Sequence, residues 1–576
     1  MDPVHTAATT RSPSPAVDAH SLDERHSVGH PSSEKSLGHA LSNKAASHDG
    51  ESTPTTEYPQ GAKFYLIMVS IVLTILLVSL DQTIVSTAIP EVSNQFNSFS
   101  DVGWYGSAYL LTSTCFQPLF GRLYSRFPIK WVFVAALTIF ELGSLICGVA
   151  QDSTTFIVGR AVAGVGMSGA YSGTMIIVTL ISPVQMRPVL MSIVGGAYGT
   201  GACIGPIVGG AFTSQTTWRW CFYINLCFYP FVAVAILAFL KVPNRLQTKS
   251  IINRFVTIDW LGVALSMCSV ICLLLALQWG GIRYEWGNSK VIGLIVGFFV
   301  IALAFAVEQW YLGDDAIIPF RLHRQRTVGF GSLVNFCIAA SYFGLLYFVP
   351  IYFQSVRGSS AIRSGVQTLP FVVAVIVATT LSGGLITKFG YYIPLLLVGT
   401  AITAVGSGCL YLLRPDSSLS MYVGLQFLAG VGPGIAFMIP FSAVSAALDP
   451  SDIEIGSAIV TFWQTLGGTL FVSVCQAIFQ NEFVKSLGAI PGAPTEAIVA
   501  HGVSAFRAFT PSSILPQVEL AANLAVNKTY LASVALGVAA FLAVFGMELN
   551  KRILPPDQQV QGDAEKDAAA AGLPQA

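Results

Sequence analysis

Apolar residues in this chain come in long uninterrupted blocks, not at the two- or 3.6-residue period of a half-buried strand or surface helix. The blocks run to about 20 residues, the length that crosses a bilayer as α-helix. Fourteen spans can be drawn: 64–88, 104–124, 131–150, 156–180, 189–213, 220–240, 259–279, 290–311, 328–354, 366–387, 392–413, 421–441, 455–479 and 529–548. Two are less typical, since 290–311 ends in Glu308 and 366–387 carries two glycines. Most links are short, and the exception is a long outer loop, 480–528.

Composition agrees. The 576 residues are 53% hydrophobic and 10% charged, against about 25% charged in soluble domains. The expectation is an all-α polytopic membrane protein. Residues 1–60 are rich in Ser, His and Pro, and 555–576 are equally poor in apolar groups. Neither stretch can bury enough surface to fold, so both read as disordered cytosolic tails. The net charge is zero, which gives no electrostatic footprint for a nucleic-acid partner. Ten cysteines are scattered singly, with no metal-ligand spacing. No GxxxxGK[ST] phosphate loop is present. Transport energy would then come from an ion gradient, with no cofactor.

Lys and Arg set orientation. With a cytosolic N-terminus, twelve fall in the inner loops, while the outer loops 89–103 and 151–155 contain none. Lys551 and Arg552 then anchor the last span inside, so both termini are cytosolic. The stretch "PLFGRLYSRFPIKWVFVAALTIFELGSLICG" is echoed by "LSGGLITKFGYYIPLLLVGTAITAVGSGCLY" eight spans later. Duplicated halves with a midplane site between them are a common transporter plan. Here 64–240 and 328–548 would be six-helix halves, and 259–311 two inserted helices.

Charges inside the spans carry the chemistry. Asp81 lies in "LLVSLDQTIVSTAIP" and Arg160 in "FIVGRAVAGVGMSGAYSG". Each costs roughly 2.5–3.5 kcal/mol at a helix centre on insertion scales. Burial favours the neutral form of a carboxyl and a nearby cation favours the ionised form. Asp81 can therefore exchange a proton as its surroundings change, or else hold a helix–helix contact only. Glu141 lies mid-span and is a second protonation candidate or an interhelical hydrogen-bond partner. Gly201, Gly205, Pro206, Gly209 and Gly210 in "GACIGPIVGG" allow close helix approach and a kink, with Gly195 and Gly199 extending the small-residue face upstream.

Four of these stretches carry a family resemblance. Leu80, Asp81, Thr83, Ala88 and Pro90 resemble the first-span motif of the major facilitator superfamily, in its fourteen-span drug:proton antiporter branch. "GRLYSRFPIK" is similar to the loop motif after span two, with Gly121, Leu123, Arg126 and Lys130 in place, Ser125 standing for an Asp and Pro128 for a Gly. Arg160, Gly164 and Gly166 match the fourth-span motif, with Ala163 where the family has Gln. The 201–210 stretch matches the antiporter motif of span five, and "WRWCFYINL" follows it as in fungal toxin pumps. The resemblance implies the major facilitator fold, two six-helix halves plus two inserted helices. It implies proton coupling at Asp81 and Arg160, gating by the Gly121–Lys130 loop, and export of toxins, drugs or secondary metabolites by alternating access.

A pocket for bulky apolar compounds is mostly aromatic and aliphatic with a few polar groups. Candidates are Asn335, Tyr342, Phe343, Tyr347, Gln426, Phe462, Trp463 and Gln464, each of which can equally be core. The expected partners are a small-molecule substrate and the lipid bilayer. The chain is expected to work as a monomer, in the plasma membrane or else a vacuolar or vesicle membrane. An importer of the same fold, for instance of iron-chelates, is the competing reading, against which the span-five motif speaks. A membrane enzyme would need a polar catalytic cluster at a span end, and none is evident. A non-transporting receptor would have no use for Asp81 and Arg160. Asn527 opens an Asn-Lys-Thr glycosylation sequon.

The Lys/Arg pattern predicts that a reporter maturing only in the cytosol is active when fused to either end. A dark C-terminal fusion on membrane-inserted protein contradicts the fourteen-span topology.

Overall fold

The structure, a computed structural model, describes residues 59–96, 98, 101–240, 251–281, 284–449, 452–493, 506–549 and 552–553. Apart from Pro59 and Gln60, the two expected tails lie outside the described residues. Among the described residues the long helices are α1 (Ala62–Phe96), α2 (Val102–Arg126), α3 (Ile129–Val149), α4 (Ser153–Ile181), α5 (Arg187–Gln215), α6 (Trp220–Phe239), α7 (Trp260–Trp279), α8 (Ser289–Leu312), α9 (Arg326–Ile351), α10 (Ala361–Phe389), α11 (Ile393–Leu410), α12 (Leu419–Ala436), α13 (Ile453–Gly488) and α14 (Leu515–Val544). After a two-residue turn α12 continues as Ile439–Ala447.

Short polar residues start several of these helices. Asp152 accepts from Thr155 N at 2.8 Å and Asp259 from Gly262 N at 2.6 Å, each satisfying a donor the first turn leaves open. The Thr155 amide and hydroxyl hold the exposed Asp152 carboxyl below the usual carboxylate range. Gly390 ends α10 at φ 74°, where a side chain would clash with the backbone.

Thirteen of the helices are long and apolar enough to cross a membrane, and α2 is the exception. Its sequence is diluted by Ser, Thr, Gln and Gly, several of which hydrogen-bond inside the fold. Thr114 and Thr469 hydroxyls meet at 3.1 Å, and Gln117 Nε2 donates to Ser172 Oγ at 2.9 Å. A helix surrounded by protein need not be apolar all round. At the opposite extreme, α8 packs chiefly on α7 and leaves Val296, Phe299, Val300, Leu303, Val307, Trp310 and Tyr311 exposed. Such a surface is stable only against hydrocarbon.

Helix pairing repeats along the chain. In the first half α1 packs on α5 and α6, and α4 on α2 and α3; in the second, α9 packs on α13 and α14, and α12 on α10 and α11. The halves meet through α2 with α13 and α5 with α10, a reciprocal exchange of equivalent helices. This is the expected architecture of two six-helix halves plus two inserted helices.

The outer loop is shorter than 480–528. Residues through Gly488 belong to α13, and α14 begins at Leu515. The segment 515–528 read as loop because Gln517, Glu519, Asn523 and Asn527 break its apolar run. Yet Val518, Ala521, Ala522, Ala525 and Val526 are buried at helical spacing, an amphipathic stripe that a block-length criterion misses. Between the two helices, the Phe506 ring packs at a tilt against Phe483, with centroids 6.0 Å apart. Arg507 pairs with Glu519 at 2.6 Å and donates to Val356 O at 2.8 Å, which binds the link to the end of α9.

The sequon is affected by that correction. Asn527 is inside α14, 5% exposed, and its amide donates to Tyr411 O at 3.2 Å. An oligosaccharyltransferase cannot reach it in the folded chain. Endoglycosidase treatment is expected to leave the gel mobility of the expressed protein unchanged. A mobility shift that Asn527→Gln abolishes contradicts this placement.

Candidate functional site

Asp81 on α1 and Arg160 on α4 form an ion pair, Arg160 Nη1 to Asp81 Oδ2 at 2.7 Å. The side chains are 0% and 1% exposed. Arg160 Nε donates to Tyr105 O of α2 at 3.0 Å, and the guanidinium lies 4.3 Å from the Tyr109 ring centroid. The other carboxylate oxygen, Asp81 Oδ1, accepts from Asn225 Nδ2 of α6 at 3.1 Å. The same amide nitrogen donates to Ser144 Oγ of α3 at 3.1 Å. One carboxylate thus ties α1 to α4 and α6, and through their side chains to α2 and α3. The two charges that the resemblance links to proton coupling are thus in direct contact; Asn225, Tyr109 and Ser144 were not foreseen. Asn225 lies within the quoted "WRWCFYINL", and a lone amide inside an apolar span was its available signal.

Glu141 is buried on α3, and its Oε2 has no hydrogen-bond partner. It borders a small void with Thr74, Leu77, Val78, Phe140 and Tyr229. It is not hydrogen-bonded into the Asp81 cluster.

The α5 glycines face α1. A Cβ at Gly201 would overlap Leu76 O and Ser79, one at Gly205 would overlap Thr83, and one at Gly209 would overlap Thr87 and Ile84. This face is seamed by Ser79 Oγ donating to Tyr198 O at 2.5 Å. Gly195 and Gly199 do not extend it. A Cβ at Gly195 would meet Met438 first and then Thr379 of α10, one at Gly199 would meet Ile376 of α10, and Gly210 faces Ile362 of the same helix. The correction is angular: two residues along a helix turn by about 200°, so 199 and 201 lie on opposite faces. α5 is therefore a small-residue spacer with one side on α1 and the other on the second half.

At the N-terminal end of α5 the halves are closed on each other. Arg187 Nη1 donates to Ser445 O at 2.8 Å, and a Cβ on Gly383 would strike Ser192. The loop motif sits at the same end. Gly121 abuts Ala458 of α13. Lys130 donates to Leu237 O. Arg126 finds an acid despite Ser125, pairing with Asp315 at 3.1 Å in the turn after α8 and donating to Thr257 Oγ1 at 2.8 Å. Arg122 donates to Asp314 O at 2.7 Å. Asp314 also pairs at 3.1 Å with Arg321, which grips Asp452 through two 3.0 Å contacts. The two acids hold the Arg321 guanidinium firmly protonated. The inserted helices thus supply acidic partners that join the halves at this end.

Toward the other end lies a cavity of about 280 Å³ between α1, α5, α9 and α10. Its polar lining comes from Thr83, Thr87, Tyr347, Gln354, Ser364 and Thr368, with Pro206 and Pro350 among the apolar wall residues. After Ile351 the backbone passes into a π-helical turn, Tyr352–Val356. Pro350 lacks the donor a regular turn needs, and such turns recur at functional sites. A smaller void of about 20 Å³ lies among Gln82, Tyr171, Tyr198, Phe343, Tyr347 and Gln464. There Tyr198 donates to Gln82 Oε1 at 2.5 Å and Tyr171 to Gln464 Oε1 at 2.8 Å, the latter across the halves.

Of the expected pocket residues, Phe343, Tyr347 and Gln464 line these spaces. Asn335, Tyr342, Gln426, Phe462 and Trp463 line neither. Tyr342 is locked among Phe343, Phe371 and Phe437, and Trp463 lies against His323 and Phe336. Gln426 donates to Gln367 O at 3.1 Å, and Asn335 is fully buried with both amide atoms unpartnered. Residue type did not reveal which helix face each occupies.

Removing one member of a buried ion pair leaves the other uncompensated, at about 3–5 kcal/mol. Arg160→Leu is therefore expected to lower the thermal unfolding midpoint of the detergent-solubilised protein, and Asp81→Asn in that background to recover part of the loss. Additive losses contradict a direct pair.

Residues 71–472 match the Major Facilitator Superfamily. The chain is 42% identical over 505 residues to the MFS-type transporter astH of Aspergillus oryzae, covering 87% of this chain and 89% of that one. It is 41% identical over 502 residues to the efflux pump aflT of Aspergillus parasiticus, covering 86% and 98%. Among solved structures it is similar in fold to the human organic anion transporter MFSD10, with TM-score 0.58 and 12% identity over 84% of this chain and all of that one. A bacterial homologue of the lysosomal transporter Spinster, inward-facing and unoccupied, gives TM-score 0.54 and 17% identity over 86% and 100%. By a match over more than half its length and by such relatives, this multi-pass membrane protein belongs to the Major Facilitator Superfamily.

Proposed function

We propose that this transporter exports small, largely apolar, uncharged compounds of the toxin or secondary-metabolite kind in exchange for protons. The observation that carries the reading is the ion pair of Asp81 and Arg160, buried where neither charge stabilises a surface. Relatives named as efflux pumps, aflT among them, support the direction. The lining of the 280 Å³ cavity supports the substrate class: Thr, Ser, Tyr and Gln supply hydrogen bonds, and no charged side chain is among the lining residues. An ionic substrate would meet no counter-charge there, and unpaired burial is costly.

With the N-terminus cytosolic, the Arg187–Ser445 end is the inner one and the cavity lies on the outer side. In this arrangement Asp81 is ionised and held by Arg160. Protonation from outside neutralises it, the attraction to Arg160 is lost, and α1 is freed against α4 and α6. The glycine face of α5 passes that change to the wall of the cavity and to α10. Opening of the inner end then returns the proton to the cytosol and admits the next substrate. Glu141, unpartnered and near Asp81, is a waiting site for the proton. The driving force is the proton gradient, with no cofactor. The protein works as a monomer in the plasma membrane.

Cells loaded with Nile red and expressing the wild-type protein are expected to export the dye uphill, and a protonophore to stop them. Asp81→Asn is expected to reach the membrane but to lose uphill export. Undiminished, protonophore-sensitive pumping by Asp81→Asn contradicts the assignment and moves coupling to Glu141.

A further inference from the structure

Asn225 is fully buried on α6, one helix away from both members of the ion pair. Both of its amide hydrogens are committed, one to Asp81 Oδ1 and one to Ser144 Oγ, each at 3.1 Å. Its carbonyl oxygen has no partner. The amide points its donor side at the carboxylate. The reverse orientation would set Oδ1 against a carboxylate oxygen, so the charge on Asp81 fixes the amide.

We propose that Asn225 is a positioning residue for the coupling group: it holds the second oxygen of Asp81 and biases that carboxyl toward its ionised form. The inference rests on the proton-coupling role of Asp81 proposed above. Hydrogen bonds donated to a carboxylate favour the charged form over the neutral one. Arg160 alone occupies Oδ2, and without Asn225 the other oxygen would be buried with no donor from α6. The proton would then bind more readily and leave less readily. The geometry also explains why an amide suits this place. A second cation beside Arg160 would oppose protonation of Asp81 far more strongly, whereas a neutral donor shifts the balance without fixing it.

The other groups facing Asp81 do not supply this donor. Tyr109 of α2 donates its hydroxyl to Val78 O at 3.3 Å. Cys147 of α3 directs its thiol to Phe156 O at 3.7 Å. Glu141 of α3 carries a carboxyl and Cys221 of α6 a thiol, and neither is a hydrogen-bond partner of the Asp81 carboxylate, which is held by Arg160 and Asn225. Tyr198 of α5 donates to Gln82. Arg160 of α4 is the sole cation among them.

The test is proton flux driven by Nile red in proteoliposomes of the purified full chain, read with entrapped pyranine while the proton-loading side is titrated. Asn225→Leu keeps the branched shape, though bulkier, and has no donor, and Asn225→Thr retains polarity without the amide. Each is expected to move the half-maximal pH of proton loading upward by about one unit, with slower turnover because release is impeded. Asp81→Asn is expected to give no pH-dependent loading. An unmoved midpoint in both Asn225 variants, beside a flat Asp81→Asn profile, overturns the inference and leaves the coupling reading intact. A full pH profile in Asp81→Asn overturns the coupling reading itself. Flux lost at every pH in both variants makes Asn225 a packing residue and also overturns the inference.

Discussion

A carboxylate and a guanidinium 2.7 Å apart, shut off from solvent, are the constraint around which the first half is organised. Each ion alone would be several kcal/mol too costly to bury, and only their mutual attraction and added hydrogen bonds compensate. The bonds are drawn from different helices: Tyr105 O from α2, Asn225 from α6, with Ser144 of α3 behind it. Four helices are therefore held against α1 by one negative charge. Removing that charge by protonation weakens all of those attachments together, which is what a coupling device requires.

The charge acts on the cavity through α5. Its glycines at 201, 205 and 209 bring the α5 backbone against the stretch of α1 that carries Asp81, Thr83 and Thr87. Thr83 and Thr87 also line the cavity, as does Pro206. The opposite side of α5, at Gly195, Gly199 and Gly210, lies on α10 of the second half. A small movement of α1 thus reaches both the cavity wall and the seam between halves, because close-packed backbones have no soft side chains to absorb it. The N-terminal end of α5 resists that movement through Arg187 and Ser445 and through the Arg122, Arg126, Asp314, Asp315, Arg321 and Asp452 network. Asp315 is 80% exposed, so its share is screened and modest. Asp314 is also exposed, so the ion pairs that these two acids make are weak enough to open in each cycle.

Membrane chemistry made part of this legible in the sequence. Asp81 and Arg160 stood out because charge in hydrocarbon needs a reason, and block lengths gave the spans and the two halves. The pair itself was not readable, since 79 positions separate the partners. The glycine face was correct at 201, 205 and 209 and wrong at 195 and 199, where the helical angle decides and composition does not. The cavity was the least legible feature. Asn335, Gln426 and Trp463 have suitable chemistry but face the interior of their own half. Thr83 and Thr87 of α1, Gln354 of the π-helical turn and Ser364 of α10, all ordinary residues, line it instead. Ser125 in place of an Asp suggested a lost ion pair, but Arg126 draws its acid from a turn 189 residues away.

The central claim is that the charge on Asp81 decides which end of the molecule is closed. Met186, just before α5, and Leu385, near the end of α10, are both exposed beside the closed inner seam. Spin labels at these positions, carried by non-canonical amino acids, report its opening as a distance distribution by pulsed electron resonance. Acidification is predicted to shift wild-type protein from the short distance to a longer one, and Asp81→Asn to show the longer distance already at neutral pH. A short distance in Asp81→Asn that still lengthens with acid as in wild type would contradict the account.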